Sequence, residues 1–203
     1  MNHVLEERCA IRSYDKNVKI DREELSDILQ DAMTAPSSFN LQPWRFIVID
    51  TPEGKEKIKP YMMFNALPWE TSSAIIAIYA DKKVLDTVEG LLSNDVEMGL
   101  RTKEQKEQLK QIINAYIGSY TQERQSNALM LDCGFISMQL MLSAKAYGYD
   151  TCPIGGYDRQ GFSDAVGMDS ERYIPVILIS IGKAAEQGKI SARYSVEDIT
   201  KWF

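Results

Sequence analysis

The chain has one histidine, three cysteines and no surplus of basic residues among its 203 positions. Each shortage excludes a class of chemistry. With His3 alone, a zinc site built on several histidines is impossible. A Ser-His-Asp or Cys-His mechanism would have to recruit that one residue near the start of the chain. Cys9, Cys133 and Cys152 are odd in number and form no CxxC pair. That pattern fits unpaired thiols in a reducing compartment, and so predicts a cytoplasmic protein. Asp and Glu outnumber Lys and Arg by 29 to 23, giving a net charge of −6, which argues against a general nucleic-acid binder. Long apolar runs are missing too. The plainest one, residues 74–80, is far too short to span a membrane, and the residues after Met1 lack the pattern of a signal peptide. There is no GxxxxGK[ST] loop and no GxGxxG after a strand. Gly156 and Gly161 have the spacing of the first but lack its lysine. No pair of acidic residues stands out as an acid–base dyad.

What is present is an ordinary globular mixture, 44% hydrophobic and 26% charged, read as a single domain over residues 1–203. A chain of this length buries on the order of 70% of its unfolded surface without disulfides or a structural metal. Residues 4–10 predict a short helix. Asp21 and Glu24 form a capping-box pattern ahead of Leu25, Ile28, Leu29, Ala32 and Met33 at helical spacing. That helix must stop before Pro36. Residues 36–43 read as a loop between two prolines, 44–49 as a strand, and 52–64 as a helix with proline in its first turn. Residues 74–80 read as a strand buried on both faces, and 84–120 as charged helix. Residues 124–147 are apolar around nearly the whole circumference, with Asp132, Gln139 and Ser143 as a narrow polar stripe. Such a helix is central and must be covered by other elements or a second subunit. Residues 151–158 read as a loop and 173–181 as a last strand. Pattern alone gives an α+β class with one buried sheet.

Four features could carry chemistry. Arg8 and Arg12 would share one face if helical, and could hold an anion or simply lie in solvent. Ser37, Ser38, Asn40 and Gln42 give the 36–43 loop many donors, suited to a polar heterocycle or to ordinary turn chemistry. Asn65 is either a cap or a ligand. Pro153-Ile154-Gly155-Gly156 allows close backbone approach to a bound molecule.

Taken together, these segments resemble the nitroreductase family of FMN-dependent oxidoreductases. The resemblance rests on Arg8-Cys9-Ala10-Ile11-Arg12-Ser13-Tyr14 and on Ala35-Pro36-Ser37-Ser38-Phe39-Asn40-Leu41-Gln42-Pro43-Trp44-Arg45-Phe46. It rests also on Cys133-Gly134-Phe135, on Ser143-Ala144-Lys145-Ala146-Tyr147-Gly148, and on Pro153-Ile154-Gly155-Gly156. It is weakest over 84–123.

The resemblance implies a nitroreductase-like fold, with a central mixed sheet flanked by helices and a long buried core helix. It implies a homodimer with FMN at the subunit interface. Arg8 and Arg193 would hold the FMN phosphate, with local contacts from Cys9 and Ala10. Arg12 and Asn65 would meet the pyrimidine edge of the flavin. Pro36, Ser37, Ser38 and Asn40 would come from the other subunit. Pro153 and Ile154 would lead to Gly155, whose N–H would face flavin N5, and Gly156 would keep that approach clear. The implied reaction takes hydride from NADH or NADPH onto FMN and passes it to an electron-poor small molecule, such as a nitroaromatic or quinone. No metal, nucleic acid or membrane is implied. A flavin sensor or store with little turnover, or a specialised flavin enzyme of the same fold, is the alternative.

Overall fold

The computed structural model describes residues 2–203, with side chains from Val4 onward, so the side chain of His3 lies outside the described residues. The first helix, α1 (Asn2–Glu7), ends one residue before Arg8. Helix α2 (Arg22–Ala32) starts as expected: the Asp21 carboxylate accepts the Glu24 N–H at 2.8 Å. The reciprocal half of the capping box does not form, because the Glu24 carboxylate accepts the Tyr149 hydroxyl at 2.6 Å. Strand β1 (Trp44–Ile49) follows the two-proline loop. The helix expected over 52–64 is shorter. It divides into α3 (Pro52–Ile58) and a 3-10 turn (Lys59–Tyr61), since Pro60 has no N–H to continue the ladder. Helix α4 (Ala66–Thr71) then leads into strand β2 (Ala74–Asp81).

All eight residues of β2 are buried, and their alternation defines two core layers. Ala74, Ile76, Ile78 and Ala80 point toward α2, and Ile75, Ala77 and Tyr79 point toward α3 and α4. Burying one such isoleucine contributes about 1.5–3 kcal/mol, which is why this run carries no polar punctuation. The 84–120 region is helical but broken. A 3-10 turn (Val84–Thr87), α5 (Val88–Glu97) and α6 (Lys103–Gly118) are separated at Gly99, whose φ of +72° suits glycine. Glu89 ties α5 to α6 by ion pairs with Lys106 and Lys110. Ile113 and Ile117 of α6 pack into the core, while Ile112 and Tyr116 remain exposed.

Helix α7 (Gln122–Ala146) crosses the sheet on the α2 side, and the chain turns away just beyond it at Gly148, φ +81°. Its polar stripe faces inward. Asp132 accepts the Ser38 N–H, Gln139 donates to the Thr34 hydroxyl at 3.2 Å, and Ser143 donates to the Ile28 carbonyl at 3.1 Å. Its exposed side is apolar: Leu131 is 59% exposed and Phe135 42%.

Strand β3 (Asp150–Ile154), α8 (Arg159–Val166) and β4 (Tyr173–Gly182) complete the body. Residues 151–154, expected as the start of a loop, are strand. Pro153 is tolerated because β3 lies at the sheet edge. The strand order is β1-β2-β4-β3, with every strand pair antiparallel. The parallel component of the expected mixed sheet is a single bridge, Ala10 with Thr151. Beyond β4 the chain lies against residues 13–15, through Asp15 N–H to Lys183 O at 2.8 Å and Ala185 N–H to Ser13 O at 2.9 Å. Residues 189–203 are exposed, with one short turn of helix, α9 (Val196–Ile199).

Candidate active site

Two groups of the sequence-selected residues form, at opposite edges of the sheet. The first gathers at the end of β3. Ala10 bridges Thr151, and Ile11 N–H donates to the Thr151 carbonyl at 3.0 Å, so residues 10–11 run beside the edge strand. Arg8 and Arg12 are therefore not on one helical face, because α1 ends at Glu7. Extended backbone carries Arg12 to Cys152, whose thiol is pushed up chiefly by burial and held down in part by the Arg12 guanidinium. Cys9 packs its thiol against Gly188, in the space a side chain there would need.

Asn65 joins this group from 91 residues away. It occupies the N-cap position of α4 without capping it. Instead its Nδ2 donates to the Gly156 carbonyl at 2.7 Å and to the Met62 carbonyl at 3.2 Å. With both amide donors engaged, Oδ1 is the atom left for a ligand. A Cβ placed on Gly155 or Gly156 would meet nothing within 4 Å, so the surface above both glycines is open. An open glycine floor beside an anchored amide, with Arg12 meeting Cys152 three residues back along the chain, fits a flat polar ring laid on the backbone. Glu186, which sequence reasoning missed, belongs here too. Its Oε1 accepts the N–H groups of Arg12 at 2.6 Å and Ser13 at 3.0 Å, fixing the direction in which Arg12 leaves the backbone. Nothing in the local sequence distinguishes it from its exposed neighbours.

The second group is the 36–43 loop, ahead of β1. Ser37 Oγ accepts the Gln42 N–H at 3.0 Å, and Gln42 Nε2 reaches the Asn40 carbonyl at 3.2 Å. Ser38 N–H is shared by both Asp132 carboxylate oxygens, at 3.2 Å each. Pro36 and Asn40 are exposed. Phe39, Asn40 and Gln42 have φ of 51°, 58° and 47°, and the fourth described non-glycine residue with positive φ is Met63, at 48° beside Asn65. Each such residue costs on the order of 1–3 kcal/mol and persists only where its surroundings over-determine it. The described strain thus falls in the two segments singled out as ligand-contacting. Asp132 was noted in the sequence only as part of a polar stripe.

The structure does not bring the loop to the Gly155 group within one chain: strand order puts β1 and β3 at opposite edges. Among the described residues, no hydrogen bond links Arg193 to the first group. Arg193 is exposed, with Nη1 on its neighbour's carbonyl, Ala192 O, at 2.9 Å.

The nitroreductase family model matches residues 5–183. The chain belongs to the nitroreductase family. Family resemblance extends through individual relatives. "Putative NAD(P)H nitroreductase YdgI" of Bacillus subtilis (strain 168) is 46% identical over 199 residues, covering 98% of this chain and 95% of that protein. The "CLA biosynthesis enone reductase" of Lactiplantibacillus plantarum is 37% identical over 201 residues, covering 97% of this chain and 91% of that one. Among solved structures, an FMN complex from Exiguobacterium sibiricum 255-15 superposes with a TM-score of 0.97 at 44% identity, covering 100% of this chain and 96% of that one. The nitroreductase fold here therefore includes 84–123, the stretch where sequence resemblance was weakest.

Proposed function

We propose that this chain is an FMN-dependent NAD(P)H oxidoreductase working as a homodimer, with one site at each end of the subunit interface. When bound, FMN would accept hydride from NADH or NADPH and deliver it to an electron-poor acceptor in a second half-reaction. The observation that carries this reading is the open floor over Gly155 and Gly156, fastened to Asn65, at the end of the strand whose Cys152 meets Arg12. Arg12 and the Asn65 amide would orient the polar edge of the ring, and the Arg12 charge would stabilise negative charge building there. Arg8 and Arg193 would grip the phosphate through their fixed forks of donors. Pro36, Ser37, Ser38 and Asn40 would reach the site from the second subunit, a division that suits their position at the opposite sheet edge. The apolar outer side of α7 supports the same assembly, because it leaves Leu131 and Phe135 for a mate to cover.

The acceptor is a small conjugated molecule: a nitroaromatic, a quinone or, by analogy with the enone reductase relative, an α,β-unsaturated ketone. Free thiols at Cys9, Cys133 and Cys152 suit a cytoplasmic setting. The test is a visible spectrum of the purified protein, before and after anaerobic NADH and then NADPH. A flavin spectrum that bleaches fast with one nucleotide supports the enzyme and selects the donor. A flavin spectrum that persists with both favours a sensor or store. A colourless protein that takes up no added FMN overturns the proposal.

A further inference from the structure

Asp132 is a carboxylate in the wrong place for stability. It sits on the inward side of α7, is 7% exposed, and makes no ion pair among the described residues. Burial pushes its pKa up, and the Ser38 N–H only partly offsets this. The remaining residues lining the small cavity at its side are uncharged. Arg45 is bonded to Asp81, and Arg124 is stacked on Tyr120 at 4.0 Å. Cys133, next along the helix, has a thiol pushed up to about 12, mainly by burial and then by Asp132 itself. A buried charge without a cation calls for a reason other than folding.

The reason on view is the loop it holds. Both Asp132 oxygens take the Ser38 N–H, at the start of a turn in which Phe39, Asn40 and Gln42 all have left-handed backbone. At the far end of the loop Arg45 of β1 donates Nη1 to the Gln42 carbonyl at 3.2 Å, and the clamps nearer Ser38 are neutral. Ser37 Oγ to Gln42 N–H lies within the loop, and Phe39 meets Tyr116 edge-on with ring centroids 5.7 Å apart. Asp132 supplies the charged acceptor from a rigid element, and charge-assisted bonds are roughly twice as strong as neutral ones. We propose that Asp132 is the positioning residue that locks the 36–43 loop in its flavin-receiving form, and that the lock requires its carboxylate ionised. This inference rests on the proposed function, in which the loop contacts FMN.

The test compares wild type, Asp132→Asn and Asp132→Leu in FMN titrations followed by fluorescence quenching from pH 8 to pH 4, with thermal melts of the FMN-free proteins. At pH 8 the leucine variant should bind FMN roughly ten-fold or more weakly, the weight of one charge-assisted bond. The same variant should melt no lower than wild type, because it removes an uncompensated buried charge. A residue that merely supported the fold would lose binding and stability together. The asparagine variant keeps an oxygen for Ser38 N–H but cannot titrate. Its affinity should follow only the titration of the FMN phosphate, while wild type weakens additionally as the pH falls. If the leucine variant does not fold, the wild-type and asparagine profiles decide alone. Superimposable pH profiles overturn the proposal, as does wild-type affinity in the leucine variant. A wild-type chain that binds no FMN at any pH overturns the proposed function and takes this inference with it. FMN binding in wild type with no effect at Asp132 overturns this inference alone.

Discussion

Asn65 Nδ2 and the Gly156 carbonyl oxygen lie 2.7 Å apart, and this one bond ties the start of α4 to the loop after β3. The contact aligns a side-chain amide with a glycine floor, two features that are unremarkable separately. Replacing Asn65 by alanine removes the tie and the ligand-facing Oδ1 together. FMN affinity should fall by about ten-fold, the usual weight of one or two neutral hydrogen bonds. Isothermal titration of the alanine variant with FMN measures this, and an unchanged Kd would remove Asn65 from the site.

Gly155→Val separates a ligand clash from a folding defect. A Cβ at Gly155 meets nothing within 4 Å, and its φ is not in the left-handed region. The valine variant should therefore fold with a melting temperature close to wild type. It should nonetheless emerge from purification with little or no flavin, because the added methyl groups stand where the ring would lie. A yellow, fully loaded variant would count against the placement of flavin N5 over Gly155.

Arg8 and Arg193 are predicted to act on the same phosphate from opposite ends of the chain. Arg8 stands near the sheet edge, and Arg193 is in the exposed tail. Loss of a charge-assisted contact costs roughly 1.5–3 kcal/mol, so Arg8→Ala and Arg193→Ala should each weaken FMN binding by about ten- to one-hundred-fold. Riboflavin, which lacks the phosphate, should bind wild type and both variants alike. Equal losses for riboflavin and FMN would show that neither guanidinium reads the phosphate.

These predictions draw on features of unequal legibility. The β2 run was readable because a strand buried on both faces must be apolar at every position, and the α2 start was readable because Asp21 acts on a neighbour three residues away. Strand β3 was missed: five residues containing Pro153 carry too little periodicity to outweigh their turn-like neighbours. The end of α1 before Arg8 was missed for a similar reason, since the Ala10–Thr151 bridge that extends this segment comes from 141 positions later, the difference of the two residue numbers. The candidate site residues were legible through family motifs. Their division between the two sheet edges was not, because strand order depends on pairings that no local pattern encodes. Asp132 shows the limit most clearly. A narrow polar stripe on a helix apolar nearly all round does not say which way it faces, and only packing turns Asp132, Gln139 and Ser143 toward the protein while Leu131 and Phe135 stay exposed.

Stability should rise with pH through Lys55. Its ammonium group is buried, bonded to the Ser72 carbonyl and hydroxyl, with no carboxylate partner among the described residues. Burial, with Lys19 and Lys16 adding repulsion, lowers its pKa from 10.5 to about 8. Between those values the unfolded chain binds more protons than the folded one, so unfolding becomes less favourable as the pH rises. At about 1.4 kcal/mol per pKa unit, the gain is on the order of 3 kcal/mol, complete only above the unfolded value. Urea melts from pH 7 to pH 10.5 should show wild type gaining stability relative to Lys55→Met across that window. Parallel curves would mean that Lys55 keeps a normal pKa in the folded chain.

The outward face of α7 carries large apolar side chains. Leu131 and Phe135 lie one helical turn apart and remain 59% and 42% exposed. The inward positions of the same helix are taken by Asp132, Ser137 and Ser143 as well as by apolar residues. This arrangement is unfavourable for an isolated chain, and it is resolved if a second copy covers the apolar side. Leu131→Arg with Phe135→Glu alters only exposed positions, so the secondary structure of each chain should persist by circular dichroism. Light scattering should then give half the wild-type mass. Because the 36–43 loop and the Gly155 floor occupy opposite edges of one chain, the separated chains should also lose FMN, although no substituted residue touches the proposed site. Retention of FMN by a true monomer would show that one chain completes the site by itself. Loss of FMN on dissociation would be the expected signature of a site that needs both edges, one from each copy.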